Sequence, residues 1–382
     1  MKILQIAQFF SPVHGGSAEV PYQLSKELVN RGHEVTIYAS DYKSSQEYIN
    51  SIPEVRVCLF RSWLNYAKFH VTPGIIKRVK KEVKKFDIIH MHNYRTFQNM
   101  VVYYYARKYK IPYVLQAHGS VLPIFQKQKL KRIFDLFFGY RILSDASKVI
   151  ALTRTEAEQY KGMGVDEDKI EIVPNGIDLS EYDNLPERGE FRRKHSIRDD
   201  EKIILYLGRI HKIKGIDLLV KAFTDLIKKL GDVRLVIVGP DDGFLSTLKK
   251  QIDGLKIDDK ILLTGPLYER DKLEVYVDAD VYVLPSVYEI FGVTVLEALA
   301  CGTPVIVTDR CGIADIVDDK VGYEVEYDKD QLRDAIFKVL SDEELRRRLG
   351  KDGKKLVREY FSWDKVVRKV EKVYKEIVLK QG

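Results

Sequence analysis

The chain has 382 residues, of which 45% are hydrophobic and 31% charged, which predicts a soluble protein with enough apolar material for two globular domains. No apolar run approaches the roughly 18 residues of a membrane-spanning helix. Cys58, Cys301 and Cys311 are too few and too irregularly spaced for a disulfide framework or a Cys-rich zinc site. With no visible export signal, we expect a cytoplasmic protein.

Positive charge is concentrated in the first half of the chain. Residues 1–178 hold 26 Lys and Arg against 17 Asp and Glu, a net charge of +9, whereas the remainder has 37 against 39, a net charge of −2. This asymmetry predicts an anionic partner for the first half, although not a nucleic acid. A solvated charged face that serves no partner is the alternative.

Short apolar runs recur about every 20 to 35 residues, with helix-like stretches between them, and this pattern predicts parallel βα units. The first half contains seven such strands, at residues 3–9, 34–39, 55–60, 88–92, 113–117, 148–152 and 170–173. The second half contains six, at residues 203–207, 234–238, 261–264, 281–284, 305–308 and 323–326. The predicted fold class is therefore α/β, with two doubly wound, Rossmann-like domains.

Turn residues at 174–178 end one strand, and a charged stretch follows them, so we place the domains at 1–178 and 179–362. Doubly wound sheets bind ligands beyond the carboxyl ends of their strands. Two such sheets facing a central cleft would bring two substrates together. The remaining segment, 363–382, is predicted to be a helix whose apolar stripe is buried; the stripe contains Trp363, Val366, Val370, Val373, Tyr374 and Ile377.

Several candidate residues follow strands of the first domain. Gly15 and Gly16 precede a helix, where their permissive backbone could bring amides against a phosphate or an acceptor hydroxyl. His118 follows the fifth strand and is expected to face the cleft, with a histidine satisfied inside the sheet as the alternative. His90 and His92 share one side of a strand, but no third ligand nearby completes a metal site.

Two segments of the first domain, 75–85 and 124–141, have the pattern of basic amphipathic helices. Such a helix can lie at an anionic bilayer surface, where each Lys or Arg contributes on the order of 1 kcal/mol. We therefore expect peripheral contact with an anionic membrane. In the alternative interpretation, the apolar face of 124–141 packs on its own sheet.

In the second domain, Gly208 ends a strand, and Arg209 and Lys214 lie in the loop before the next helix. A guanidinium and an ammonium in such a loop can neutralise a diphosphate without a metal. Two solvated surface cations are the alternative.

The next strand ends carry Gly239, Gly265 and Leu267, whose backbones could hold a base and a ribose. Asp278 and Asp280 match a metal-binding D-x-D pattern by letter. They stand where a helix ends and a strand begins, so we assign them no metal.

The strongest pattern spans residues 285–305 and predicts strand, loop, helix and strand. Its helix begins near Val293, and Gly292 would let a phosphate approach the amides there. Phe291 stands beside that glycine. Glu289 stands at the mouth, with Glu297 about two turns down the same face; both carboxylates can accept hydrogen bonds from sugar or ribose hydroxyls. Either Glu alone would be a solvated charge at a helix end.

Taken together, these motifs resemble a retaining GT-B glycosyltransferase of the glycosyl transferase group 1, or glycogen-synthase-like, class. The resemblance covers almost the whole chain. It is carried by Gly15 and Gly16, 31–35, 90–92, 117–119, 173–178, Gly208 and Arg209, Lys214 and Gly215, and Glu289 seven residues before Glu297.

The resemblance implies that a nucleotide sugar binds the second domain, an acceptor binds the first, and the last helix crosses back to the first. It implies a UDP-sugar as the favoured donor and a GDP-sugar as the alternative, with no cofactor and with a lipid-linked, saccharide or small-molecule acceptor. Glu289 would contact the donor sugar, Glu297 the ribose, and Arg209 and Lys214 the diphosphate. His118 would orient a donor hydroxyl or polarise the reacting centre.

Two departures from the family pattern lie near the expected sugar pocket. Ile290 stands where a small residue or Pro is common, and residues 310–312 replace the commoner Gly-Gly. They leave the identity of the donor sugar open. Two other functions also stay open: a GT-B sugar-nucleotide epimerase, and a non-catalytic nucleotide-sugar-binding module.

Overall fold

A computed structural model describes residues 1–11, 16–66, 69–124, 127–317 and 319–380. The chain divides into two units. Unit 1 comprises Met1–Asn175 and Trp363–Gly382, and unit 2 comprises Gly176–Ser362. Each unit is built on one parallel sheet.

The described residues form fifteen strands. They are β1 (Lys2–Ile6), β2 (Glu34–Ser40), β3 (Arg56–Phe60), β4 (Leu64–Tyr66), β5 (Phe69–Val71), β6 (Ile88–His92), β7 (Tyr113–Gln116), β8 (Lys148–Ala151), β9 (Ile170–Ile172), β10 (Lys202–Leu207), β11 (Val233–Val238), β12 (Ile261–Gly265), β13 (Val281–Leu284), β14 (Val305–Thr308) and β15 (Gly322–Val325). All thirteen predicted strands are present, with bounds that differ by at most about three residues. The α/β fold class is confirmed.

Sixteen α-helices are found in the same ranges. They are α1 (Gly16–Asn30), α2 (Gln46–Asn50), α3 (Gly74–Glu82), α4 (Phe97–Tyr109), α5 (Gln128–Phe134), α6 (Tyr140–Ser144), α7 (Arg154–Gly162), α8 (Glu190–Lys194), α9 (Ile216–Leu230), α10 (Leu245–Leu255), α11 (Glu269–Asp278), α12 (Val293–Cys301), α13 (Ala314–Val317), α14 (Lys329–Ser341), α15 (Glu343–Tyr360) and α16 (Trp363–Leu379). A π-helical turn, Asp135–Gly139, joins α5 to α6. Within the described ranges, no helix is long and apolar enough to cross a bilayer.

The sheet of unit 1 has the strand order β3-β2-β1-β6-β7-β8-β9, and that of unit 2 has the order β12-β11-β10-β13-β14-β15. In each sheet the chain first builds outward from one strand and then returns to that strand's other side. The reversal therefore lies between β1 and β6 in unit 1 and between β10 and β13 in unit 2. Ligands of doubly wound sheets bind beyond the carboxyl ends of the strands at such a reversal.

Side chains of unit 1 alternate between two cores because successive residues of a strand point to opposite faces. Leu4 and Ile89 belong to one core, whereas their neighbours Ile3 and Ile88 belong to the other. Burial on both faces makes each strand a nearly continuous apolar run. This is why the strands could be found in the sequence.

One sheet was not predicted. Strands β4 and β5 pair antiparallel, with Leu64 opposite Val71. Each has only three residues, which is too short for an apolar alternation to be recognised.

Residues 75–85 form a helix and the helical turn after it, as their amphipathic pattern predicts, but the apolar face of this segment does not lie at the surface. In α3 and the helical turn after it, Ile75, Val79 and Val83 are completely buried in the core of unit 1. The apolar face of this segment packs on its own sheet, so the side chains that it leaves exposed are mainly its lysines, with Ile76 among them.

Helix α16 packs in unit 1, where all six residues of its predicted apolar stripe are buried in the core that contains Ile3.

A buried carboxylate, that of Glu371, also fixes the position of α16. Glu371 bonds Arg31 (Oε2 to Nη2, 2.8 Å), His33 (Oε1 to Nε2, 3.1 Å) and Lys375 (Oε1 to Nζ, 2.7 Å). The Lys375 ammonium, with Arg31 and His33, lowers the pKa of Glu371 to about 2. Burial lowers the pKa of His33.

Replacing this carboxylate should destabilise unit 1 in a pH-dependent way. A pKa lowered from 4.5 to about 2 corresponds to about 3 kcal/mol of stability, which solvent screening of the exposed Lys375 reduces to about 2. Glu371→Gln should lower the free energy of unfolding by this amount at pH 7. The deficit should shrink as the pH falls from 4.5 toward 2, because protonation then removes the same charge from the wild type.

Urea unfolding at pH 7, 5 and 3 measures the deficit. Glu376→Gln is the matched control: Glu376 lies on the same helix, is more exposed, and has a pair with Lys372 that is long, at 3.9 Å. A deficit for Glu371→Gln that is no larger than that of this control, or that does not change with pH, would contradict the assignment.

Candidate functional site

Two loops of unit 2 meet where the strand order reverses. One follows β10 and contains Arg209 and Lys214; the other follows β13 and contains Glu289. The amide of Val287 donates to the carbonyl of Ile213 (2.8 Å), which ties the two loops together. Residues about 75 positions apart in the sequence are thus brought together at one edge of the sheet.

Three glycines form a row along this edge. The amide of Gly208 donates to Val238 (3.0 Å), and that of Gly239 donates to Gly265 (2.9 Å). Gly239 has φ +145°, and a Cβ there would lie 1.9 Å from the carbonyl oxygen of Gly208. Only glycine fits this approach, so the ends of β10, β11 and β12 form a continuous backbone surface. Leu267 lies in the loop just beyond it, partly buried.

Lys214 and Glu289 form an ion pair across the two loops, and both side chains are mostly buried. The backbone of Glu289 is held from the other side, because its amide donates to Arg310 (3.2 Å) and its carbonyl accepts from Gly312 (2.7 Å). The segment 310–312, which departs from the family pattern, therefore determines where the Glu289 loop lies.

Arg209 pairs with Asp242, and both side chains are about half exposed. The hydroxyl of Tyr206 donates to the carbonyl of Arg209 (2.9 Å) and fixes the start of the loop. The sequence indicated Arg209 but not its partner, Asp242. The only sequence feature that could have indicated Asp242 is its position just after β11.

Gly292 caps the N-terminus of α12 with φ +69°, and Val293 is the first helical residue. The first turn contains no acidic residue, so the free amides there offer a positive end to an anion. Phe291 is buried, with its ring 6.4 Å from that of Phe361. The predicted loop-to-helix junction is present.

The Glu297 carboxylate already has two partners on α11. It accepts from Lys272 Nζ (2.9 Å) and from the hydroxyl of Tyr276 (2.9 Å). Burial alone would lower the pKa of Lys272, but the Glu297 carboxylate raises it above its ordinary value. Sequence reasoning missed both partners, because Lys272 and Tyr276 lie in a different βα unit. Each oxygen of Glu297 retains a lone pair for a further hydrogen bond.

The D-x-D residues are engaged within unit 2. Asp278 accepts from the amides of Gly189 and Arg192, and Asp280 accepts from the guanidinium of Arg188 (2.9 Å) and the amide of Ile203 (2.9 Å). Both carboxylates are buried. Among the described residues, no group of three or more His, Cys, Asp or Glu side chains is arranged to hold a metal ion.

In unit 1, His90 and His92 of β6 lie close to His118, which follows β7. The rings of His90 and His92 stack with centroids 4.1 Å apart, so they do share one side of β6. His92 Nδ1 is 3.0 Å from His118 Nε2, and His90 Nδ1 is 2.6 Å from the hydroxyl of Tyr374. Burial lowers the pKa of all three, to about 3 for His90 and about 4 for His118.

The turn that carries His118 is held by a buried carboxylate. His118 and Gly119 both have left-handed backbone angles, with φ +52° and +79°. Glu156 accepts from the amides of Gly119 (2.6 Å) and Leu152 (2.8 Å), and burial raises its pKa to about 7. Sequence reasoning missed Glu156. Of the predicted glycine pair, Gly16 begins α1, whereas Gly15 lies outside the described residues.

Two family models match the chain. Residues 187–356 match "Glycosyl transferases group 1", and residues 14–181 match "Glycosyltransferase Family 4".

Curated relatives match over most of their length. An uncharacterized glycosyltransferase of Methanocaldococcus jannaschii is 32% identical over 98% of both chains. The N-acetyl-alpha-D-glucosaminyl L-malate synthase of Bacillus anthracis is 26% identical over 96% of this chain and 95% of that one. The alpha-monoglucosyldiacylglycerol synthase of Streptococcus pneumoniae is 29% identical over 89% and 78%, respectively.

Among solved structures, Anabaena HepE in complex with UDP has a TM-score of 0.81 at 18% identity, over 98% of this chain and 100% of that one. At this identity the likeness shows a shared fold. Together with the relatives and the two family models, it confirms the expectation from the sequence motifs: the chain belongs to the glycosyl transferases group 1 family and has the GT-B fold.

Proposed function

We propose that this glycosyltransferase moves a sugar from a nucleoside-diphosphate sugar, with a UDP-sugar favoured over a GDP-sugar, to an acceptor bound by unit 1. The observation that carries the donor assignment is the convergence of Arg209, Lys214 and the N-terminus of α12 at the reversal of the unit 2 sheet. Two cations and free helix amides form a site for a diphosphate. The complex of Anabaena HepE with UDP supports a uridine nucleotide.

The same groups are proposed to promote the reaction. When the bond from the anomeric carbon to the diphosphate breaks, the electron pair leaves with the diphosphate and increases its negative charge. Cations fixed before the reaction stabilise that charge more than they stabilise the bound substrate. Lys214 is already held by Glu289, and Arg209 by Asp242, so little reorganisation is required.

We further propose that transfer proceeds with retention of the anomeric configuration. The acceptor oxygen would bond to the anomeric carbon on the face that the diphosphate leaves, and the acceptor proton would pass to the departing diphosphate oxygen. Glu289 would hold hydroxyls of the donor sugar, Glu297 those of the ribose, and His118 would contact a sugar hydroxyl. The glycine row at Gly208, Gly239 and Gly265, with Leu267, would support the base and ribose.

Neutralisation by fixed cations also implies that no metal is required. The two carboxylates that match D-x-D serve unit 2 instead: Asp278 and Asp280 hold the start of α8 and the beginning of β10. They would have to abandon buried hydrogen bonds to bind an ion.

For the acceptor, we propose a lipid at an anionic membrane, on the basis of a docking surface on α5, the π-helical turn and α6. Its apolar side chains are 39–70% exposed: Leu130, Ile133, Leu136, Phe137, Phe138 and Tyr140. The cations Lys129, Arg132 and Arg141 are exposed among them. In the alternative interpretation the apolar face of this segment packs on its own sheet; Phe134 does pack against that core, whereas the six side chains above are exposed.

A cavity of about 640 Å³ adjoins this docking surface, between α4 and the π-helical turn. Phe137, Phe138 and Tyr104 supply apolar walls, and Arg107 and Arg141 supply positive charge. Apolar walls beside cations fit a phospholipid, whose phosphate and chains need both. The name of the Streptococcus pneumoniae relative supports a lipid acceptor, whereas that of the Bacillus anthracis relative favours a small soluble one.

The cationic clamp can be tested by calorimetric titration with UDP. Arg209→Ala should weaken binding about 10- to 100-fold, because a hydrogen bond between charged groups contributes about 1.5–3 kcal/mol. Arg198→Ala is the matched control, since Arg198 also forms an exposed pair with an aspartate but precedes β10, at the opposite edge of the sheet. Equal affinity in wild type and Arg209→Ala would remove the clamp from the account.

Chelation tests metal independence. Release of nucleoside diphosphate from the donor should continue at an undiminished rate in excess EDTA, because Arg209, Lys214 and the α12 amides supply the positive charge. Loss of activity on chelation that magnesium or manganese restores would show that an ion takes part.

Vesicle co-sedimentation tests the docking surface. Wild type should pellet with anionic vesicles at low salt and bind more weakly to neutral vesicles or at high salt. Leu136→Ser combined with Phe137→Ser should reduce binding several-fold. Tyr360→Ser, which replaces an aromatic of unit 2 that is also more than half exposed, should not. Wild type that stays in the supernatant with anionic vesicles would make a soluble acceptor the better proposal.

A further inference from the structure

A chain of hydrogen bonds runs through unit 1 from helix α1 to His118. The hydroxyl of Ser25 is 2.7 Å from the carbonyl oxygen of Pro21, and the side-chain nitrogen of Gln5, Nε2, is 2.9 Å from that hydroxyl. The amide oxygen of Gln5 is 2.7 Å from His92 Nε2, and His92 Nδ1 is 3.0 Å from His118 Nε2. The chain crosses from β1 to β6, the two strands between which the sheet order reverses.

The bond between Ser25 and Pro21, at one end of this series of hydrogen bonds, fixes which group donates in each of the others. A backbone carbonyl can only accept, so the Ser25 hydroxyl must donate its single proton to Pro21. The Ser25 oxygen is then an acceptor, which requires the NH2 group of Gln5 to face it and the carbonyl oxygen of Gln5 to face His92. The orientation of the Gln5 amide is therefore determined by its partners.

The two histidines follow. Because the Gln5 oxygen only accepts, His92 must carry a proton on Nε2, and a neutral His92 then has a lone pair on Nδ1. His118 must donate to that lone pair from Nε2. A neutral His118 consequently has its own lone pair on Nδ1.

We propose that Ser25, Gln5 and His92 are positioning residues that hold His118 in the neutral form protonated on Nε2, so that His118 offers a hydrogen-bond acceptor to a substrate hydroxyl and is not a proton donor. That the hydroxyl belongs to a sugar substrate rests on the proposed function, whereas the tautomer does not.

Two further observations agree with this assignment. His118 Nδ1 is buried and has no hydrogen-bond partner among the described residues, although the side chain as a whole is only partly buried. A buried acceptor without a partner is unfavourable, so a substrate hydroxyl that donates to it forms a hydrogen bond that the free protein lacks. Burial also lowers the pKa of both His92 and His118, which keeps the pair neutral at pH 7.

Nitrogen NMR of the full chain labelled with 15N-histidine tests the tautomer directly, because protonated and unprotonated ring nitrogens have well-separated shifts. His118→Gln assigns the signals. We expect His118 to be protonated on Nε2 and unprotonated on Nδ1. A proton on Nδ1 of His118 in the wild type would overturn the proposal.

Two substitutions test the positioning role. Gln5→Glu places a carboxylate beside His92, which favours a doubly protonated His92 that donates from Nδ1 and moves the proton of His118 to Nδ1. Ser25→Ala releases the Gln5 amide to rotate and should mix the two tautomers. Tyr374→Phe is the control, because it removes a buried hydrogen bond to His90 and leaves the chain intact.

Gln5→Glu should lower kcat for sugar transfer at least about tenfold, with UDP affinity unchanged, while the control keeps both. A changed tautomer with an unchanged kcat would overturn the role of the lone pair. If the wild type transfers no sugar, the proposed function fails, and the nitrogen spectra still decide the tautomer. If Gln5→Glu does not fold, Ser25→Ala tests the same link without introducing a charge: its spectrum should show both tautomers of His118, and its kcat should fall by a smaller factor.

Discussion

The reversal of strand order in each parallel sheet is the constraint on which the sites of this protein depend. After β10 the chain continues to β11 on one side of the sheet, and after β13 it continues to β14 on the other side. The loops that follow β10 and β13 therefore flank a gap that no connection covers. Lys214 and Glu289 meet there. In unit 1 the reversal lies between β1 and β6, and the hydrogen bond from His92 to Gln5 spans it.

The edge of the unit 2 sheet where donor binding is proposed combines a close backbone with paired charges. Gly239 lets β10 and β11 end in contact, which leaves backbone rather than side chains at the surface. The cations on this edge are not free: Lys214 is held by Glu289 and Arg209 by Asp242. Such pairs hold the charges in place in advance, as the proposed stabilisation of the departing diphosphate requires.

The sequence predicted what is local and missed what is not. Buried parallel strands are continuous apolar runs, so all thirteen could be found. Glu289, Gly292 and Glu297 lie in one strand–loop–helix unit, where their spacing indicates the geometry. Lys272, the partner of Glu297, and Glu156, which holds the turn of His118, are each in a different strand–helix segment from the residue they contact. Each reaches its partner only when the sheet forms. The two basic amphipathic segments, 75–85 and 124–141, had opposite outcomes: Ile75 is buried, whereas Phe137 is exposed. A sequence pattern shows which residues are apolar but not which other elements cover them.

The central claim is that these elements together transfer a sugar from a nucleoside-diphosphate sugar. Incubation with a panel of radiolabelled sugar nucleotides, with the released nucleoside diphosphate and any epimerised sugar counted separately, tests it most directly. We expect release of nucleoside diphosphate from one donor, with the label passing to an acceptor or, more slowly, to water, and no epimerised sugar nucleotide. Epimerised sugar would indicate an epimerase, and tight binding with no release from any donor would indicate a binding module; either result would contradict the claim.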